Sequence, residues 1–454
     1  MTQQIDQWHD ERVFFYRFGF GPIGQWMPNL KGGARLYLAN LIRNPEIALI
    51  KSEGLPTHQE ACAAIISSED ARRINNIEVL TRIEKNILER TGIHERLVHF
   101  WSNFFGVSSE TSMVARATVG EWERNTIRPN ILGSFYDLLL GTIQHPAFIS
   151  CLENQRSVSP VSPYGKRSGK SYNENMGREI LELYTLGDAT IYAQIDVEQI
   201  SLAFCGWSFT SIAQASSGAW GGHPDRIGQF IFQHRWSHPH KINILGQSFS
   251  GNGIKRCEDI LRFLTHHEAT SRHIAIRLCR HFISDDPPEK LINKIASTFY
   301  ETQGDLLQTT LCLVEANEAW DLPLQKIRTP YETFIAACRA INTGWQHEEM
   351  RPIFSALNSL KNYPWRSESP SGYSDKNACW LTPNTIRVKA ECLQVVMSRL
   401  YDGNHISHQP TRFARRSFRI DGTHATVRQV RRLQRRSRRW GMVGIFLSPE
   451  FNLR

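Results

Sequence analysis

The chain has 454 residues, 41% of them hydrophobic and 21% charged, and a formal net charge of +9. That length can bury a large core and allows two or three domains, and the composition is that of a globular protein. No apolar run approaches the ~20 residues that span a bilayer. The start, Met1-Thr-Gln-Gln-Ile-Asp-Gln-Trp8, has neither the charged opening nor the apolar stretch of a signal peptide, so the expectation is a soluble, cytoplasmic protein without a transmembrane segment. Nine cysteines are scattered with no C-x-x-C pair, beside apolar neighbours such as Ala337-Cys338, which suits reduced buried thiols. P-loop, dinucleotide glycine, nucleophile-elbow and H-E-x-x-H motifs are all missing.

Taken in order, Arg17-Phe-Gly-Phe-Gly-Pro22 is a turn-rich entry to the chain. Helical periodicity follows over 33–43 and again over 70–90, where Ile74, Ile77, Leu80, Ile83 and Ile87 recur at steps of three and four. Residues 94–105 read as a core helix around Phe100, Trp101, Phe104 and Phe105, and 115–140 as another helical region. His145-Pro146 opens a short helix to about Asn154, with proline tolerated in the first turn. The stretch 157–171, rich in Ser, Pro, Gly and Lys, reads as a loop. Residues 173–187 form a short helix stopped by Gly187, and 196–206 a further one.

From Trp207 to Gly253 glycines, aromatics and His223, His234, His238 and His240 cluster, and Phe230-Ile-Phe with Lys241-Ile-Asn-Ile-Leu suggests one small hairpin within 228–249. Beyond it the starts are helical: Thr265-x-x-Glu268 as a capping box, Asp286-Pro-Pro-Glu289, Gly304-Asp305, Thr329-Pro330 and Thr382-Pro383. His266, His267, His273 and His281 read as surface residues of that half. The expectation is a mainly α, multi-helix globular domain over 1–454, two-lobed at most (1–206 and 254–454, joined by the insertion 207–253).

The basic balance is local. Between Pro410 and Trp440 stand eleven arginines and one acid, Asp421, so this segment carries +10 and the rest of the chain about −1. Val427, Val430, Leu433 and Trp440 make it a basic amphipathic helix, fit for an acidic protein, nucleic acid or an anionic surface. The plainer reading is a solvated helix packing a narrow apolar side on the domain.

Several segments together carry a family resemblance: Phe100-Trp101-Ser-Asn103, His145-Pro-Ala147 with Leu152-Glu-Asn154, Asn173-Glu-Asn175 with Arg178-Glu179-x-Leu181-Glu182-Leu183, Ala203-Phe-Cys-Gly-Trp207, Lys326-x-Arg328-Thr-Pro330, Pro370-Ser-Gly372 and Leu447-Ser-Pro-Glu-Phe451. In this order and over nearly the whole chain, they resemble the bacterial family catalogued as domain of unknown function 1800. The resemblance implies a largely helical fold and no established activity. It also implies histidines at three positions that here hold Ser102, Phe104 and Tyr184, and a His-Asp pair where His238 is followed by Pro239. Such imidazoles would suit a transition metal, so if the family uses one, its ligand-type residues are replaced here, and no metal ligand is assigned.

Two functions follow as expectations. One is an enzyme with a pocket between the 173–187 helix, the 145–154 helix and the 157–171 loop. There Arg178 orients a polar or anionic substrate, Glu179 or Glu182 moves protons, Tyr184 replaces a histidine, and His145 and Asn154 line the site. The other is a non-catalytic binding or assembly protein acting through Arg431, Arg432, Arg435 and Arg436. Against the first stands a simple ladder of helix ion pairs from Glu174 through Arg178 to Glu182.

Overall fold

The computed structural model describes residues 8–24, 26–30, 32–218, 223–251, 253–341, 351–401 and 409–454, and helices dominate it. In the first half α1 (His58–Ala63) and α2 (Ser68–Leu88) each start at a capping box, with Thr57 and Ser67 as caps. Then come α3 (Ile93–Phe105), α4 (Met113–Trp122), α5 (Pro146–Cys151) and α6 (Asn175–Glu179). Helix α3 lies between left-handed Gly92 and Gly106 and buries Phe100, Trp101, Phe104 and Phe105. A side chain at Gly106 would stand 2.2 Å from the Pro370 carbonyl. Glycine is therefore what lets the Pro370-Ser-Gly372 turn lie against the end of α3.

The insertion differs from the expected single hairpin. Strand β1 (Trp207–Phe209) pairs antiparallel with β2 (Phe230–Phe232), while β3 (Ile242–Ile244) pairs with β4 (Gln247–Phe249). The two apolar runs thus join different partners, because Trp207 brings its own strand to Phe230 and Leu245-Gly246 lets the second run turn back on itself. The 157–171 stretch is also more ordered than a loop, containing a helix at Pro163–Ser168 capped by Ser162.

The second half runs α7 (Gly253–Thr265), α8 (Glu268–Phe282), α9 (Glu289–Glu301), α10 (Leu306–Glu315), α11 (Pro330–Ile341), α12 (Pro383–Tyr401), α13 (Pro410–Phe418), α14 (Ala425–Arg436) and α15 (Arg438–Phe446). Asp305 caps α10 and Thr329 opens α11 with Glu332 as its reciprocal partner. Two expected starts are corrected. Thr265 ends α7, and the cap of α8 is His267, whose Nδ1 accepts the Ala269 N–H at 3.1 Å. At α9 the prolines push the helix start to Glu289, leaving Pro288 rather than Asp286 at the cap.

One apolar cluster reaches from Val13 to Phe451 and draws on both halves. Buried arginines cross it. Arg17 donates to the carbonyls of Ala319, Leu322 and Pro323, and Arg339 to those of Gly21, Asn86 and Arg90. Arg128 grips Glu95 with two hydrogen bonds of 2.6 and 3.0 Å and also meets Glu123. Arg96 and Arg454 share Glu332. Arg17, Arg128, Arg339 and Arg454 each satisfy more than one buried acceptor, the condition for burying charge without leaving orphan oxygens, while Arg96 meets Glu332 alone and lies between the Phe20 and Phe282 rings. No described helix is long and apolar enough to cross a membrane.

Candidate functional site

Helix α6 runs on into a π-turn, Ile180–Tyr184. Met176, Ile180, Leu181 and Tyr184 point inward, which leaves the i, i+4, i+8 row of Glu174, Arg178 and Glu182 on the outer face. Arg178 is therefore not the buried clamp expected. Its Nη2 meets Glu174 Oε2 at 3.1 Å with both side chains about two-fifths exposed, 43% and 39%, and it also donates to Gln194 Oε1. Glu182 is exposed.

Glu179 is different. It is half-buried, and among the described residues no hydrogen bond or ion pair holds its carboxyl. Burial first, then the neighbouring Glu182, push it up to about 7, with Arg178 opposing only in part. This group can gain or lose a proton near neutrality.

The remaining expected residues hold backbone. The Tyr184 hydroxyl donates to the Phe105 carbonyl at 3.1 Å, its ring is buried against Phe105 and Phe148, and burial raises its phenol far above the usual range. Asn154 Nδ2 donates to the Phe204 and Trp207 carbonyls and fixes the turn before β1. His145 caps α5, its Nδ1 accepting the Ala147 N–H at 3.2 Å, so the ring proton sits on Nε2 and is donated to Glu121 Oε2 at 2.7 Å. Glu121 Oε1 accepts from Asn125 and lies 3.2 Å from His58 Nδ1. Burial alone would raise the Glu121 carboxyl, but hydrogen bonds from His145 and His58 outweigh it and hold it below the ordinary range.

The ligand atoms of His58, Glu121 and His145 lie within 4.8 Å of one another. A metal-bound imidazole donates its second N–H to an acceptor; here a backbone N–H already takes His145 Nδ1. The trio suits a hydrogen-bonded staple between α1, α4 and α5 better than a cation.

The positions where the resemblance implies histidine do not converge. Ser102 Oγ accepts the Trp365 Nε1–H at 3.2 Å, while Phe104, two residues on and across the helix, faces Tyr184 with ring centroids 6.2 Å apart. Arg277 covers Phe104 at 5.2 Å. His238 lies elsewhere, its Nδ1 2.9 Å from Ser159 Oγ. These residues do not fit a shared metal.

Sequence reasoning missed a polar hollow beside α3. Arg82, His99, Ser102, Tyr331, Trp365 and Tyr373 wall a free space of about 30 Å³, room for about one or two waters. His99 Nδ1 is 3.2 Å from Arg82 Nη2, and its ring stacks on Tyr331. Behind it lies His281, expected at the surface but only 2% exposed, with Nδ1 2.9 Å from Asp375 Oδ1. Burial, then Arg96, pulls the His281 imidazole down to about 3. His273 is half-buried rather than exposed, and its Nε2 lies 3.0 Å from the Leu183 carbonyl.

The basic segment folds as the helical pair α13 and α14, with the Thr411 N–H donating to Gln434 Oε1. Val427 and Val430 are buried, whereas Arg431, Arg432, Arg435 and Arg436 are all exposed. Among the described residues these four meet no carboxylate. Arg419, on the preceding turn, pairs with Glu11 at 2.6 Å.

A family model described as "Protein of unknown function (DUF1800)" matches residues 13–453. No curated protein and no solved structure matches the chain.

Proposed function

We propose that this chain, which belongs to the DUF1800 family, is a binding protein that engages a polyanionic macromolecule through α14. The observation that carries this reading is the row Arg431, Arg432, Arg435 and Arg436: four exposed guanidinium groups on a helix anchored by Val427 and Val430, with no acidic partner among the described residues. A helix that needed only to cover the core would gain nothing from this uncompensated charge, since like charges one turn apart repel. Duplex DNA, used as a generic polyanion, tests it. Replacing the four arginines with glutamine should weaken binding and flatten the dependence of log affinity on log salt by about 3 to 4, given about 0.9 per neutralised phosphate. Unchanged affinity and slope would end the reading.

A second reading, acid–base chemistry on a polar or anionic substrate at α6, is supported by one observation, the unpaired Glu179 carboxyl near 7 beside a π-turn. Such turns are frequent at functional sites. In this reading Glu179 moves the proton, Arg178 and Glu182 flank it on the outer face of the helix, and Tyr184, His145 and Asn154 hold the backbone beneath. A folded Glu179→Gln/Glu182→Gln variant that complements a deletion of the gene as well as the intact protein does would remove it.

A further inference from the structure

We infer that the anionic partner is single-stranded nucleic acid, one of whose bases enters an aromatic cavity beside α13. This rests on the polyanion reading above and adds to it a site and a partner class. The cavity has a volume of about 730 Å³ and is walled by Trp8, Tyr16, Trp26 and Phe413 together with Arg12 and Arg416. Its two sides come from opposite ends of the chain, the N-terminal segment and α13, joined at the rim by the Glu11–Arg419 ion pair. The sequence offers few stacking aromatics within the basic segment itself. The fold supplies them from residues 8–26.

Chemistry selects the occupant. The volume lies in the range of sites that take small molecules and cofactors, about 300–1,000 Å³, which is ample for one base. Arg12 already lies over the Trp8 ring at 5.1 Å and over Tyr16 at 5.6 Å, so cationic and aromatic planes stand together before any ligand arrives. Helix α13 carries Arg412, Arg415 and Arg416 and no acid, and α14 continues the positive charge on the antiparallel helix. Aromatic faces within a positively charged track are the arrangement that binds single strands without reading sequence. An acidic peptide would use the arginines but has no need of the aromatic walls, and a duplex hides its bases.

The test uses the full chain and three fluorescent probes: oligo(dT), a duplex of equal length, and heparin. The intact protein should prefer oligo(dT) to duplex, and oligo(dT) should quench tryptophan emission, with part of the quenching lost in Trp8→Phe. Phe413→Ala should lower oligo(dT) affinity by roughly 5- to 150-fold, the equivalent of stacking one base, and leave heparin affinity unchanged; Phe413→Leu, the milder change, guards against misfolding. Equal affinity for oligo(dT) and duplex, no quenching, or displacement of oligo(dT) by poly-glutamate at matched charge would overturn the inference while leaving the polyanion reading intact. Loss of no binding in the four-arginine variant would instead strike the polyanion reading itself.

Discussion

Phe104 and Tyr184 face each other across the junction of α3 and the 180–184 π-turn, with ring centroids 6.2 Å apart, at two positions where relatives are expected to carry histidine. Both rings are buried, and Phe104 also touches Trp101, Phe105 and Phe135. The pair is core here. Phe104→Ala should cost about 3–5 kcal/mol of stability through the cavity it leaves. Tyr184→Phe should cost about 1 kcal/mol, for the hydrogen bond to the Phe105 carbonyl. Urea unfolding reads both, and a cost below about 1 kcal/mol for Phe104→Ala would contradict this packing.

The Arg128–Glu95 fork gives a sharper contrast. Both side chains have no exposure. Glu95→Ala leaves a guanidinium buried with only Glu123 and the Ala48 carbonyl near it, and should destabilise by about 3–5 kcal/mol. Replacing both residues with methionine should recover much of that loss, because no charge then remains unpaired. Equal losses in the single and double variants would argue that the pair acts through volume alone.

Acid should loosen the protein through its buried histidines. Burial pulls the imidazoles of His94 and His273 down to about 4 and that of His281 to about 3, from an ordinary 6.5. Each is neutral in the fold and takes a proton once unfolded. Their stabilising contribution is thus complete above about pH 6.5 and is lost as pH falls toward 4. Denaturation midpoints measured from pH 7.5 to 4.5 should drop steadily, and His273→Gln should shallow the slope. A flat profile would contradict the burial of these rings.

Glu179 works in the opposite direction. Its folded value of about 7 lies above the ordinary 4.5, so the fold favours the protonated acid, and stability contributed below pH 4.5 is lost as pH rises through 7. Glu179→Gln removes that loss. The variant should therefore gain stability relative to the intact protein between pH 5 and 8, whereas Glu182→Gln, at an exposed position, should track the intact protein more closely. No change in the difference across that range would mean the Glu179 carboxyl is solvated.

What could be read from the sequence was local chemistry. The Thr329-Pro330 and Gly304-Asp305 starts and the apolar face of α3 each depend on spacing within a turn or two, and each formed as read; the amphipathic helix formed with Val427 and Val430 inward but stops at Ser437, so Trp440 falls on α15. Where a segment had a competing local partner, the reading slipped. Thr265 and Glu268 have capping-box spacing, but Thr265 closes the previous helix and His267 provides the cap. The two apolar runs of the insertion looked like one hairpin because they are neighbours in sequence, while Phe230–Phe232 pairs back with Trp207–Phe209. The least visible features were contacts between distant residues. His281 and Asp375 lie 94 positions apart, and nothing in either neighbourhood marks them as partners. Charge alone was ambiguous too: Arg178 and Arg128 both stand near glutamates in sequence, yet only the second is buried.

The reach of Arg17 has a consequence for how the chain is made. Its acceptors begin at Ala319, 302 residues away, so at a synthesis rate of about 5–20 residues per second the partner carbonyls emerge roughly 15 to 60 seconds after the arginine does. During that interval Phe18, which the finished fold buries completely between Phe282 and Trp320, has neither ring to pack on. A nascent chain of this kind exposes this aromatic segment through that interval, and chaperone demand should fall on residues 13–20 rather than on the arginine-rich helices α13 and α14.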